Sequence, residues 1–232
     1  MKVAVINFSG NVGKSTVARH LIAPRMNNAV IIPVESINSD GTSDAAIKGK
    51  QFGELQEALL LMDDAVVDVG ASNVEDFITL MTQYKGSHED FDYYVVPVVP
   101  KNKQMRDTIS TIDALASIGV PAKKIRVVFN MIDVDDEAKR VCSGIFDYCD
   151  AAKNFIVKPA AVIHTNDVYG KLKGEQQDLA GILADSTDYK ELIKTAKTSE
   201  DKINYAQRIA IKRLASGVVG ELDSVFKALF SK

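Results

Sequence analysis

Cysteine, arginine and long apolar stretches are all scarce in these 232 residues, and each scarcity excludes something. Two cysteines, Cys142 and Cys149, are too few for a disulfide framework in a chain of this length, and their rarity fits a reducing cytoplasm. They can pair on paper, but the reading adopted is two buried thiols in a helix-rich stretch. No apolar run approaches the ~20 residues needed to cross a bilayer. The opening run Val3–Phe8 is too short for a signal-peptide core and reads as a first strand. A surplus of one charge is also lacking. Lysine and arginine total 28 against 31 acidic residues, a net charge of -3, which excludes a polybasic nucleic-acid arm. Hydrophobic residues at 46% and charged residues at 25% exclude a disordered tail. The length allows one α/β domain with a single core, or such a domain with a helical appendage.

Short runs rich in Val and Ile alternate with helical patterns, and neither repeats nor low-complexity blocks interrupt them. Strands are expected at Val3–Phe8, Ala29–Val34, Ala65–Val69, Tyr93–Val99, Ile125–Asn130 and Ala160–His164. Most are continuously apolar, as strands buried on both faces are. Helices are expected at Lys14–Leu21, Gly53–Leu61, Val74–Gln83 and Gln104–Ile118, and more weakly at Asp136–Phe146. The implied fold is α/β, a mostly parallel sheet flanked by helices. Asn166–Lys171 reads as a loop. Beyond it, Gln176–Lys197 and Asp201–Phe230 read as a C-terminal helical segment, the latter with apolar residues recurring at helical spacing. We expect one domain over 1–232, with a core of about 1–166 and C-terminal helices over about 174–230. The polar segments Ser36–Ser43 and Lys85–Asp92 are loops, the first lying at a strand's carboxyl end, where open α/β sheets bind ligands.

The strongest chemical signal is Phe8-Ser9-Gly10-Asn11-Val12-Gly13-Lys14-Ser15-Thr16, placed between the first strand and the first helix. Successive main-chain N–H groups in such a bend form an anion nest. Gly10 and Gly13 permit unusual backbone angles and close approach. Lys14 adds a point charge for the β- and γ-phosphates, and the Ser15 hydroxyl is a Mg²⁺ ligand. The usual motif begins with Gly where this chain has Phe8, so a plain strand-to-helix turn is the bland reading. Ser9 through Thr16 are the candidate nucleotide-binding residues.

Other strand ends support the loop. Asp68, before Val69-Gly70, suits Mg²⁺ held through water, and Gly70 allows its N–H to approach a γ-phosphate. Asn130 either pairs with a base edge or turns the chain. Glu35 is placed to position an attacking water, with Asp40 a second candidate. His20, His88 and His164 lack metal-ligand spacing. Lys101 and Lys103 are either solvated or meet phosphate across a dimer. Lys202, Arg208, Lys212 and Arg213 either touch DNA or form part of a mixed solvated face. Val225–Phe230 is short and weakly basic for a membrane-dipping helix.

The order of these features resembles the ParA/MinD superfamily of deviant phosphate-loop ATPases over about residues 1–166. The family loop, Lys-Gly-Gly-x-Gly-Lys-[Ser/Thr], corresponds to Ser9–Ser15. Its Asp-x-Asp corresponds to Pro33-Val34-Glu35, its switch Asp to Asp68-Val69-Gly70, and its adenine-binding Asn to Asn130. Plasmid stability proteins of the StbB type, and related conjugation-associated ATPases, look most similar. The resemblance implies ATP/ADP and Mg²⁺ as cofactors and a homodimer formed with ATP. It further implies a DNA-binding adaptor protein or nonspecific DNA as partner, and a cytoplasmic or nucleoid-associated place in plasmid partition or conjugation. Lys14, Glu35 and Asp40 would carry hydrolysis. Two departures bear on turnover: Ser9 replaces the lysine that reaches a partner's nucleotide, and Pro33 replaces the first Asp of the second strand. The alternatives are a GTPase, since Asn130-Met131-Ile132-Asp133 keeps the Asn and Asp of a guanine motif; a small-molecule phosphotransferase, against which the unclustered arginines weigh; and a nucleotide-binding scaffold with little turnover.

Overall fold

The computed structural model describes residues 1–34, 45–172 and 179–231, with 45–49 as backbone only. Six strands form one parallel sheet: β1 (Lys2–Val5), β2 (Val30–Pro33), β3 (Ala65–Asp68), β4 (Tyr93–Val98), β5 (Ile125–Ile132) and β6 (Ile156–His164), in the order β2-β3-β1-β4-β5-β6. The continuous apolar runs predict this, since Val3, Ala4, Val5 and Ile6 are all fully buried, as are Val66, Val67, Val95 and Val96. The chain leaves β1 for one side of the sheet and returns through β4 on the other. The order therefore reverses beside β1, where doubly wound sheets open a crevice at their carboxyl ends.

The helices between strands are α1 (Lys14–Thr16), α2 (Ala45–Leu60), α3 (Val74–Gln83), α4 (Asn102–Ser117), α5 (Ala138–Val141) and α6 (Ser143–Ala152). A chain of aromatic edges runs through the core from Phe52 to Phe77, Phe91 and Tyr94, with centroids 5.5, 6.3 and 5.3 Å apart. Cys142 is buried and Cys149 partly so, both free thiols as expected. Burial pushes the Cys142 thiol up to about 11, which keeps it protonated and unreactive near neutral pH.

Several sequence expectations change, among them the helix expected over Asp136–Phe146, which is two helices, α5 and α6, separated at Cys142. The helix expected over Lys14–Leu21 is α-helical only over Lys14–Thr16 and continues as a π-helical stretch, Val17–Ile22, that reaches Pro24 through a 3-10 turn. Asn166–Lys171 is not a loop: Asp167–Lys171 is a helix, α7, and the Asn166 side chain caps it by accepting from the Val168 N–H at 3.0 Å. The single helix expected over Gln176–Lys197 is two, α8 (Leu179–Ala184) and α9 (Tyr189–Thr195), while 176–178 lie outside the described residues. Asp188 starts the second of these by accepting from the Lys190 and Glu191 N–H groups.

The residues group into two compact units, Met1–Thr165 with Val225–Lys232, and Asn166–Ser224. In the first, the end of α10 (Ser199–Phe230) is a core element: Val225 and Leu229 are 1% exposed, and the Phe230 ring meets Tyr93 edge-on at 4.9 Å. In the second, Lys212 donates to the Asp185 carbonyl. Hydrogen bonds from Thr187 and Tyr189 hold the Asp185 carboxyl down to about 2. Among the described residues no helix is long and apolar enough to cross a membrane.

Candidate phosphate-loop site

The bend after β1 is held by a small polar network. Asn7 is fully buried at the strand's end, and its Nδ2 donates to the Pro97 carbonyl and to Thr108 Oγ1, both at 2.8 Å. Its Oδ1 accepts from the Ser9 N–H at 2.7 Å. β4 extends past the end of β1 here, so the Asn7 amide continues a ladder that the backbone has left. From α4, Thr111 Oγ1 accepts from the Phe8 N–H at 3.0 Å. Both threonine hydroxyls donate back to their own helix, to the carbonyls of Gln104 and Asp107. Asn7, Thr108 and Thr111 had no part in the sequence reading. Both threonines occupy fully buried positions on the face of α4 that also carries Ile112 and Leu115.

Two residues of the bend are left-handed, Asn11 at φ 58° and Gly13 at φ 85°, with Val12 between them outside that region. Such alternation points successive N–H groups to one side. Among the described residues, the N–H groups of Gly10, Asn11, Val12 and Gly13 donate to nothing. These four donors, with Gly10 and Asn11 exposed, form a cradle with its hydrogen-bonding capacity unspent. The two glycines differ in why they are needed. At Gly13 a Cβ would lie 2.1 Å from Asn130 Nδ2, and φ is left-handed besides. At Gly10 a Cβ would meet nothing within 4 Å, so only a bound group would require glycine there.

Lys14 is 8% exposed, and its ammonium donates to the carbonyls of Asn7 at 3.1 Å and Ser9 at 2.8 Å. It lies back along the loop, with its charge beside the cradle. Ser15 is exposed and Thr16 half-buried on the first turn of α1. Ser9 is 4% exposed and bonded at both its N–H and its carbonyl.

Asp68 ends β3 in register with Val5 of β1 and Pro33 of β2, and its carbonyl accepts from the Val34 N–H at 2.9 Å. Its carboxylate therefore belongs to the strand beside the loop, at the same edge. Gly70 follows two residues later and opens a 3-10 turn, accepting from the Asn73 N–H. Its φ of -56° is open to any residue, so the turn itself does not require glycine. Glu35 and Asp40 lie outside the described residues.

Asn130 touches the loop directly. It is 2% exposed, and its Nδ2 donates to the Val12 carbonyl at 2.9 Å. Among the described residues its Oδ1 accepts nothing. A break in the β5–β6 register at Asn130/Ile132 and a left-handed Met131 at φ 55° give the strand a local kink there. Met131, 45% exposed, lies over Gly13: its Cε is 3.7 Å from where a Cβ would be. The sequence reading placed Asn130 at this edge but did not include its brace on the loop, nor Met131. Among the described residues no cluster of His, Cys, Asp and Glu forms a metal centre.

No family model and no curated protein matches the chain. Solved structures do. Apo McdA of Cyanothece aligns over 98% of this chain and 97% of its own at 14% identity, with a TM-score of 0.56. MinD in the MinC:MinD cell division complex of Aquifex aeolicus aligns over 90% and 95% at 16% identity, TM-score 0.50. An ATP complex of a Cyanothece McdA variant aligns over 96% of each chain at 14% identity, again with a TM-score of 0.50. The chain therefore has the fold of these McdA and MinD structures, a parallel sheet flanked by helices.

Proposed function

We propose that the protein is a Mg-dependent ATP-binding switch of the ParA/MinD kind that hydrolyses ATP slowly and forms a homodimer with the triphosphate bound. One observation carries this reading: a bend at the sheet's topological switch point, closed to any side chain at Gly13, presents four unused N–H groups with Lys14 alongside. The residues fit the group. Gly10 to Thr16 would hold the phosphates, with Lys14 turning from the Asn7 and Ser9 carbonyls to stronger acceptors. Ser15 and Asp68 would hold Mg²⁺, which when bound neutralises phosphate charge. Gly70 would bring its N–H to the γ-phosphate, and Glu35 or Asp40 would position water.

The base reading sharpens at Asn130. Its Nδ2 donates one of its two hydrogens to Val12, and among the described residues its Oδ1 accepts nothing. That free Oδ1 is able to accept from the 6-amino group of adenine, in keeping with ATP as the nucleotide. Ser9 and Pro33 support slow turnover, since neither supplies the charge or carboxylate found at those places in the family. Similarity to an ATP-bound McdA and to a MinD held in a complex with MinC supports a switch read by a partner. We extend it, on the sequence resemblance, to a DNA-bound adaptor or nonspecific DNA in a cytoplasmic plasmid stabilisation or partition system, with a link to conjugation.

The test is sedimentation of the chain alone and with ADP, ATP or a slowly hydrolysed analogue. A shift to dimer with triphosphate only is the expected result, and a monomer throughout would overturn the switch. Calorimetry on Lys14→Ala should show ATP affinity reduced at least about 100-fold, the loss of two charge-assisted contacts. Asp68→Ala should lose only the Mg-dependent part. Wild-type affinity in Lys14→Ala would remove the loop assignment.

A further inference from the structure

The opposite end of the sheet carries a cavity of about 850 Å³ where β4, β5 and β6 begin. Its walls include Lys123, Lys124, Arg126 and Lys158, with Asp92 the single carboxylate, in a protein whose net charge is -3. That concentration of positive charge runs against the whole molecule's balance and so marks a local field. Lys124 is committed to the carbonyls of Glu89 and Phe91, and Asp92 accepts from the Lys2 N–H.

Arg126 is the singular residue. It is 8% exposed, its Nε has no hydrogen-bond partner, and among the described residues no carboxylate pairs with its guanidinium. The contact it does make is with the Tyr93 ring, 5.5 Å from the ring centre. Burying a guanidinium without an anion is costly, and a cation–π contact returns only part of that cost. Tyr93 is itself fixed from another side by Phe230, and Arg126 stands in register with Ile156 of β6. The cation therefore lies over an aromatic wall beside the Ile156 strand position, with Lys123 and Lys158, unpaired among the described residues, at the same cavity.

We propose that this cavity is a second anion site, separate from the phosphate loop, for a small organic phosphate monoester. The phosphate sits against Arg126, Lys123 and Lys158, and the apolar body lies along Ile156 and the open part of Tyr93. Three available cations favour a dianionic head over a carboxylate. The volume suits a small molecule.

The experiment is an amide-resolved NMR titration of the full chain with phenyl phosphate, inorganic phosphate and benzoate. Saturable shifts at Tyr93, Arg126 and Ile156, with phenyl phosphate about tenfold tighter than either other probe, are expected. The exposed Lys123 and half-buried Lys158 allow a double variant that folds; Lys123→Ala/Lys158→Ala should weaken phenyl phosphate about 10- to 100-fold with ATP affinity unchanged. The proposal is overturned by shifts confined to Gly10–Ser15, by no saturation, by equal affinity for all three probes, or by a double variant that binds as the wild type does.

Discussion

The two ends of the sheet are built from different materials. At the carboxyl end the framework is neutral: an asparagine at each of two strand ends, two threonine hydroxyls and main-chain N–H groups, tied to one another at 2.7 to 3.0 Å. At the amino end the material is charge, with a buried guanidinium that has an aromatic ring for company and no hydrogen-bond partner at its Nε. A neutral network holds its geometry because each member is satisfied only in one arrangement. A cluster of cations fixes sign more than shape, and its pull on a ligand falls with salt wherever the charges reach solvent. The first end should therefore fail through small displacements, and the second through loss of charge.

The largest expected effect tests the first half of that contrast inside a single loop. Gly13→Ala forces a Cβ into the Asn130 amide and a non-glycine residue to φ 85°. It should cost at least about 2 kcal/mol of stability and eliminate measurable ATP binding. Gly10→Ala places its methyl in open space and should stay within about 0.5 kcal/mol of wild type in stability. Thermal unfolding of the pair, alongside an ATP titration, reads both quantities. Equal stability in the two variants would mean that the bend is not held to the geometry described.

A smaller effect is expected one layer back. Thr111→Val keeps the shape of the side chain but leaves the Phe8 N–H without its acceptor, a loss of about 1–3 kcal/mol in urea unfolding. ATP affinity should fall with it, although Thr111 belongs to α4 and not to the loop. A variant that loses stability and binds ATP normally would separate the network from the cradle, and the neutral framework would then be structural only.

The difference between the ends also explains what the sequence could and could not tell. All six strands were legible, because continuous Val and Ile runs have few other places to go in a chain of this polarity. The loop was legible because Gly13, Lys14 and Ser15 follow the first of them. β6 begins four residues before its expected start: Lys158 and Pro159 argue against a strand in isolation, yet an edge strand tolerates both. The framework residues were illegible for a different reason. Asn7, Thr108 and Thr111 are ordinary polar residues until the sheet order brings α4 beside the end of β1, a contact across about a hundred positions. Met131 became notable only through its left-handed backbone beside the register break. Asn166 was legible in principle, since Asn followed by Asp is a helix start, but the segment's brevity hid it.

Arg126→Met gives the smallest change in stability and tests the other half of the contrast. At the loop, removing a polar partner leaves a buried group unsatisfied. At the amino edge, removing the guanidinium leaves nothing unsatisfied, because no described acceptor depends on it. The variant forgoes a cation–π contact of about 0.5–2 kcal/mol and the cost of a buried, unpaired charge disappears with it. The two oppose each other, so stability should stay within about 1 kcal/mol of wild type in either direction, a shift of about 4 °C or less in Tm. A residue kept for the fold would behave otherwise: a loss comparable to Thr111→Val would make Arg126 a structural member of the Tyr93–Phe230 cluster. Near-neutral stability, together with lost phenyl phosphate binding, leaves recognition of an anion as the reason for a cation in that place.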